Sequence, residues 1–417
     1  MANTAHIGSP KSMQALLLFL VWPVLGLAYA LWSRLEISRL LVWLFCGFYG
    51  LTFVLVDDSM DADRYRDALQ VWHMRSDVHI FQFIGFLLQG RFGYTDFVMP
   101  MTTYLVSRVT EQYAVLFACF GLIFGWFYAQ NLSFFLRQYE GKRRFWFTVL
   151  MINLAVVIGF WEINGFRFWT ASQIFIYGIL QHISGHRKKA WIFVLLAVGC
   201  HVSFGTVALI FGLYRLIGTR FWLLLPLFGL AIFSSVSIDP TNLIGLVEYL
   251  PANLQTKFFS YTYEGYEELI QAQSAQLVWY IKYFRPAFAY LMMALVAAYV
   301  YRHFSKIKED SQLWSYLNFL LYLGAFAAVA MVFPSGGRFF VVFSWLLCGF
   351  AIMCMLRFPL RPLQQAILGL GIPVFLLHLV VSIRLGAATI NAFIFVLNPL
   401  IAWYFDHQLP LKTILGF

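Results

Sequence analysis

Residues 40–67 read LLVWLFCGFYGLTFVLVDDSMDADRYRD. The first 17 are almost all apolar, and the last 11 carry five aspartates and two arginines. Charged side chains are costly in hydrocarbon, so an apolar run that ends in such a cluster is typical of a chain leaving a bilayer. We therefore expect residues 57–67 to form one wall of a polar site at a membrane face.

The same alternation of long apolar runs and short polar islands continues along the chain. Of its 417 residues, 61% are hydrophobic and only 12% are charged, and the mean hydropathy is +0.74. Soluble domains are roughly half apolar and a quarter charged. Backbone groups in lipid must bond internally, and these runs do not alternate as barrel strands do. The sequence predicts an all-α, polytopic integral membrane protein, one transmembrane domain over residues 1–417 with about 13 helices of about 20 residues each.

The net charge of +10 is explained by short basic tracts between the apolar runs. Such tracts are typical of cytoplasmic loops, and none interleaves with aromatic residues as a nucleic-acid surface would. We therefore expect a lipid bilayer and no nucleic acid as a partner. Counting the basic residues places an acidic loop with short helices, residues 57–95, and a long polar loop, residues 237–283, on the outer side, in the periplasm or the exterior. The tracts are Arg34 with Arg39, and residues 137–144, 186–189, 302–308 and 357–361.

Several apolar stretches allow more than one interpretation. We read residues 15–31 as a single first span, and residues 363–383 and 386–405 as a final pair of spans. Residues 78–89 and 94–109 are short, so they form either two shielded spans or a pair of interfacial or re-entrant helices.

Residues 190–211 look like one span interrupted by a polar group at His201. A single helix would place Arg215 and Arg220 on the outer side, against the charge rule. We therefore predict two short helices with His201 at the outer turn between them.

With the spans assigned in this way, the unusual ionisable residues all lie at outer ends of spans. Groups of this kind usually face a cavity and mark function. Arginine binds phosphate oxygens in pairs and stays charged when partly desolvated, and a carboxylate or histidine can accept a proton from a sugar hydroxyl. The pattern indicates an outward site for a lipid-linked sugar that carries a phosphate or diphosphate. The residues are the cluster 57–67, Glu162, Arg167, His201, Arg285, Arg338 and Arg384.

Four short motifs, in order over residues 40–350, resemble those of EpsG-family exopolysaccharide polymerases. Residues 61–65, DADRY, resemble the D-x-D-x-x-Y segment of the family, with the tyrosine one position early. Residues 164–171, NGFRFWTA, resemble the N-G-x-R-x-x-x-A helix start, and residues 201–203, HVS, resemble the H-x-S break. Residues 337–339, GRF, resemble a late arginine at the head of a span.

This resemblance implies a Wzy-like polysaccharide polymerase, for exopolysaccharide or O-antigen, of the GT-C type of membrane glycosyltransferase. Such enzymes lie in the bacterial inner membrane and join oligosaccharide units carried on undecaprenyl diphosphate at the periplasmic face. The expected partners are that lipid-linked oligosaccharide and other membrane proteins of polysaccharide assembly.

The expected chemistry assigns two roles. A leaving lipid diphosphate needs cations, and the candidates are Arg167 and Arg338, followed by Arg285 and Arg64. An attacking hydroxyl needs a base, and the candidates are Asp61, Asp63, Glu162 and His201. Asp61 and Asp63 are also spaced to hold a divalent cation, but with so many arginines present we expect no metal and no other cofactor.

Two other classes of protein fit parts of the pattern. A transporter or flippase for lipid-linked glycans would spread its charges through the depth of the bilayer, whereas these charges gather at one face. A ligase that transfers the glycan to another acceptor would have the same kind of site. A scaffold without activity leaves the clustering of ionisable residues unexplained.

Overall fold

The computed structural model describes residues 9–33, 37–55, 61–139, 145–234, 278–333, 335–398, 401 and 408–416. Almost all of these residues are helical, and the only extended pairing among them is one isolated bridge between Asn391 and Pro410. The prediction of an all-α fold is confirmed. The predicted loop residues 57–60 and 237–277 lie outside the described residues, and so do Asp57 and Asp58.

The helices of the described residues are numbered here in chain order. They are α1 Pro10–Val21, α2 Pro23–Trp32, α3 Ser38–Leu51, α4 Asp61–Met74, α5 Ile80–Leu88, α6 Val98–Ser107, α7 Tyr113–Arg137, α8 Phe145–Val157, α9 Phe166–Ile183, α10 Arg187–Cys200, α11 Phe204–Ile217, α12 Phe221–Ser234, α13 Trp279–Glu309, α14 Ser311–Ala330, α15 Gly337–Arg357, α16 Pro362–Leu370, α17 Ile372–Gly386 and α18 Leu411–Leu415. Short 3₁₀ turns cover Arg91–Gly93, Phe160–Gly165 and Ala392–Phe395.

Helices long and apolar enough to cross a membrane confirm that this is a membrane protein. In the described parts of the chain there are five: α7, the segment Phe145–Ile183, α13, α14 and α15. A sixth is formed if α16 and α17, which meet at a 44° bend, are one broken span. The total of about 13 spans stays a prediction.

The prediction of a single span over residues 15–31 is wrong. The helix stops at Trp22 because Pro23 has no N–H to continue it and its ring clashes with the preceding turn. α2 then folds back on α1, so that a Cβ on Gly26 would lie 2.5 Å from the Cα of Phe19. The Tyr29 hydroxyl reaches the side chain of Gln14 at 3.5 Å. This part of the chain is a hairpin of two short helices.

The short segments at 78–109 are too short to be two spans. α5 has nine residues and α6 has ten, which at 1.5 Å per residue gives about 15 Å against a hydrocarbon core of about 30 Å. Their length favours the interfacial or re-entrant alternative, which stays a prediction. Ile80, Phe81 and Leu88 of α5 are exposed, which suits a helix lying at the membrane surface.

Two other predicted boundaries are corrected. The described residues of the predicted final span at 386–405 form no continuous helix, because the backbone there bonds to a distant segment. Ala392 N–H donates to Leu409 O, and Leu411 N–H donates to Ile390 O. The long polar loop ends earlier than predicted, because α13 already begins at Trp279.

The chain forms two compact units. The first contains Met1–Glu140, Ile158–Ala208 and Ser382–Phe417, and the second contains Gly141–Val157 and Leu209–Val381. In the second, the buried helix α15 packs against α8, α13 and α14, while α12 packs on α14. The single transmembrane domain stays a prediction.

The core of the first unit is the contact between α3 and α7, which glycines bring close together. A Cβ on Gly50 would fall 2.0 Å from Phe117 O, and one on Gly121 would fall 2.1 Å from Cys46 O. Small residues permit such close approach of helices in membrane proteins. α7 also packs on α9, and the turn Phe160–Gly165 packs against α3, α4, α7 and α9. The starts of α4 and α9 are positioned by this arrangement.

We expect Gly121→Ala to destabilise the protein, because the added methyl group would force α3 away from α7. Overpacking of this kind costs about 1–3 kcal/mol. Gly85→Ala is the matched control, since nothing lies within 4 Å of its Cβ and helix propensity favours alanine by about 0.5–1 kcal/mol. The midpoint of thermal unfolding in detergent is measured for both variants and for the wild type. A midpoint of Gly121→Ala equal to or higher than that of the wild type would contradict the close contact.

Candidate functional site

The start of α9 places a cation where a helix disfavours one. Phe166 is the first residue of α9 and its ring stacks on Phe120 of α7, with centroids 3.9 Å apart. Arg167 follows in the first helical turn. The N-terminus of a helix carries partial positive charge, which stabilises anions and repels cations. An arginine in this place needs a counterion, and it adds to an environment suited to anions.

The counterion is Asp96, in the loop before α6. Arg167 Nη1 donates to Asp96 Oδ2 at 3.2 Å. The Asp96 side chain is only 3% exposed, whereas that of Arg167 is 30% exposed. The pair is therefore anchored on the buried carboxylate and leaves part of the guanidinium accessible.

Asp96 also fixes the predicted break between α10 and α11. Its Oδ1 accepts the backbone N–H of Val202 at 3.0 Å, and the neighbouring Phe97 N–H donates to Gly199 O at 2.8 Å. α10 ends at Cys200, whose Sγ lies 3.5 Å from Arg167 O. The prediction of two short helices on either side of His201 is confirmed.

The imidazole of His201 is oriented by its neighbours in the break. The backbone N–H of Ser203 donates to His201 Nδ1 at 3.3 Å, and the Ser203 hydroxyl lies 2.7 Å from the same nitrogen. Because Nδ1 accepts, the neutral ring carries its proton on Nε2. The ring edge meets Phe168 of α9, with centroids 5.4 Å apart. In this tautomer His201 is a hydrogen-bond donor at Nε2, and its unprotonated nitrogen Nδ1 faces Ser203. Its predicted role as a general base stays a prediction.

The start of α4 brings two more groups to Arg167. Burial raises the pKa of the Tyr65 phenol to about 12, and the Arg167 guanidinium opposes this rise while the Asp61 carboxylate adds to it. Tyr65 therefore stays protonated and able to donate at neutral pH. Asp61 also interacts electrostatically with Arg167. We call these five residues, Asp61, Tyr65, Asp96, Arg167 and His201, the Arg167 site.

Two other predicted residues of α4 are engaged elsewhere. Asp63 is buried, and its Oδ1 lies 3.1 Å from Arg66. Arg64 is 77% exposed and lies 3.6 Å from Asp61. Exposed pairs of this kind contribute little energy. Arg64 is therefore a surface residue, and its predicted role in substrate binding stays a prediction.

The remaining predicted residues fall in two places. Glu162 lies in the turn Phe160–Gly165 of the first unit and acts electrostatically on Tyr49 of α3, which bonds Thr389 at 2.8 Å. Arg285, in α13, and Arg338, exposed in the first turn of α15, belong to the second unit. Arg338 thus shares with Arg167 the unusual position at a helix N-terminus.

Asp96 is not among the residues predicted from the sequence. The available signal was a single carboxylate at the head of the apolar stretch 94–109, which is costly in a membrane unless it is paired. Tyr65 was not predicted either, although it stands in the first motif. Within the described residues no three His, Cys, Asp or Glu side chains are grouped as metal ligands, and the expectation of no cofactor stays a prediction.

We expect Asp96→Asn to lower stability, because the amide keeps the shape of the side chain but leaves the Arg167 charge uncompensated. Charge-assisted hydrogen bonds contribute about 1.5–3 kcal/mol. Asp67→Asn is the matched control, since Asp67 is 62% exposed beside Arg66 and such a pair contributes at most about 1 kcal/mol. If thermal unfolding of the two variants in detergent gives the same midpoint, Asp96 is not the anchor described here.

Comparison with known proteins gives one match. No curated protein and no solved structure matches the chain. The sequence model of the EpsG family matches residues 78–396, which is more than half of the chain and includes Asp96, Arg167, His201 and Arg338. The protein therefore belongs to the EpsG family.

Proposed function

We propose that this protein is a membrane glycosyltransferase that polymerises oligosaccharide repeat units carried on undecaprenyl diphosphate. Membership of the EpsG family indicates a polysaccharide polymerase of glycosyltransferase-like chemistry. We further propose that the enzyme is of the GT-C type and uses a lipid diphosphate donor. It would lie in the inner membrane of a bacterium, with its site on the periplasmic face.

The observation that carries this proposal is the placement of Arg167. A guanidinium in the first turn of a helix, held on a buried aspartate and still 30% exposed, combines a fixed positive charge with the partial positive charge of the helix N-terminus. Both favour a phosphate or diphosphate. The tyrosine and histidine of the same site add neutral donors, which suit an oxygen that gains negative charge.

In the proposed reaction, a hydroxyl oxygen of one lipid-linked unit attacks the anomeric carbon of another. The new carbon–oxygen bond forms as the bond from that carbon to the diphosphate oxygen breaks, and the diphosphate leaves with the bonding electrons. Arg167, Tyr65 and the Nε2–H of His201 stabilise this leaving charge. The hydroxyl proton passes to a carboxylate, for which Asp61 and Glu162 are the candidates.

The second unit offers arginines for the same purpose. Arg338 is exposed in the first turn of α15, where a cation is again disfavoured by the helix itself. We assign Arg338 to binding of a phosphate group because it also stands in the motif GRF, residues 337–339, with Arg285 as a further candidate. Asp63 is a weaker candidate base, since it already pairs with Arg66.

Arg167→Ala is expected to slow polymer formation by about 10²–10³-fold, the usual effect of removing one donor to a developing oxyanion. Arg167→Lys should retain part of the activity, because it keeps the charge but not the paired donors. Purified protein in detergent, given a lipid-linked repeat unit and no ion gradient, provides the assay, with product length read on a gel.

Arg187→Ala, an exposed arginine at the start of α10, is the matched control and should polymerise normally. Full activity of Arg167→Ala would remove that residue from the mechanism. If wild-type protein forms no polymer without a gradient but moves the lipid-linked unit across vesicle membranes, the protein is a transporter.

We expect His201→Gln to retain more activity than His201→Ala. Glutamine places an amide N–H close to the position of Nε2 and can donate a hydrogen bond, but it cannot act as a base. Equal and complete loss in both variants, with normal amounts of folded protein in the membrane, would make His201 the general base and overturn the assignment of a donor.

A further inference from the structure

An apolar groove lies on the second unit, and none of the residues assigned above is among its lining residues. Its cavity volume is about 460 Å³. Helices α12, α13 and α14 form its walls and α15 its floor, and all of its lining side chains are apolar or aromatic. Phe228, Met293, Leu321 and Phe343 are lining residues from the four helices in turn.

The groove has a defined direction. Trp222 and Tyr301 line one end of it and are 73% and 83% exposed. Tryptophan and tyrosine in such positions are typical of the boundary between headgroups and hydrocarbon. From Phe304 to Met293 the lining follows α13 for 11 residues, about 16 Å of helix. The groove therefore extends from the interface into the depth where acyl chains lie.

Exposed cations surround the aromatic end. Arg220 precedes the lining residue Phe221, and Arg302 follows Tyr301. Arg302, Lys306 and Arg361 all act electrostatically on His303, so they share this end of α13. The nearby acidic groups are Glu309 and Asp310, and Asp310 is already engaged, since it caps α14 and pairs with Arg357. The rim of the groove is therefore positively charged.

We propose that this groove binds an anionic phospholipid, with an acyl chain between α12 and α13 and its phosphate at the rim beside Arg220 and Arg302. The order of cations, aromatic rings and apolar lining follows the order of phosphate, glycerol and acyl chain in such a lipid. Basic tracts mark the cytoplasmic leaflet, where anionic headgroups attract nearby lysines and arginines. The bound lipid is distinct from the sugar donor, whose diphosphate is assigned to the other face.

The test uses the full-length protein in dodecyl maltoside micelles. Dioleoylphosphatidylglycerol and dioleoylphosphatidylcholine are titrated separately, and the thermal unfolding midpoint reports binding. Phosphatidylglycerol should raise the midpoint at lower concentrations than phosphatidylcholine. The double variant Arg220→Gln/Arg302→Gln should weaken phosphatidylglycerol binding by about 25-fold, since each cation near a lipid surface contributes about fivefold.

Ala297→Trp fills the groove, and it should weaken both lipids. Leu216→Trp, on an 85% exposed position of α11 outside the groove, and Lys188→Gln, an exposed lysine of α10, are the controls and should leave binding unchanged. If Ala297→Trp does not fold, the double variant decides. Equal binding of the two lipids, or unchanged binding by the double variant, would overturn the proposal. Tighter binding of undecaprenyl phosphate than of phosphatidylglycerol, in the same titration, would also overturn the proposal.

Discussion

The first unit depends on one constraint: a cation at the N-terminus of α9 must be compensated from outside that helix. Asp96 supplies the compensation, and with its second oxygen it also holds the chain at the break after α10. One buried carboxylate thus joins three segments that are far apart in the sequence. The Asp96 carboxylate is buried and holds the arginine in place. The Arg167 side chain is partly exposed, so part of its guanidinium stays accessible.

The surrounding helices make this arrangement rigid. Glycines let α3 and α7 approach until backbone atoms meet, and the ring of Phe166 stacks on Phe120 of α7. The first residue of α9 is therefore fixed by packing, and the arginine next to it is fixed in turn. Precise placement by packed neighbours is what a site needs if it is to stabilise charge that develops during a reaction.

The sequence predicted those features that a local pattern controls. A histidine and serine inside an apolar run marked the break at His201, and an arginine after Asn164 and Gly165 marked the start of α9. Asp96 was not predicted because its importance depends on its pairing with Arg167, which is 71 residues away. A local sequence pattern does not show such a pair. The hairpin at Trp22 escapes a hydropathy pattern for a different reason, since Pro23 stands in an apolar run but cannot continue a helix. The final predicted span failed because hydropathy does not reveal backbone bonds such as that from Ala392 to Leu409.

The central claim is that the Arg167 site binds a diphosphate through a cation fixed by Asp96. Equilibrium binding of undecaprenyl diphosphate and of uncharged undecaprenol to the purified protein and to Arg167→Gln tests it most directly. The account predicts that the wild type binds the diphosphate more tightly than the alcohol. In Arg167→Gln the ratio of the two affinities should fall by at least about tenfold, as expected for loss of a charge-assisted hydrogen bond. An unchanged preference in Arg167→Gln would contradict the account.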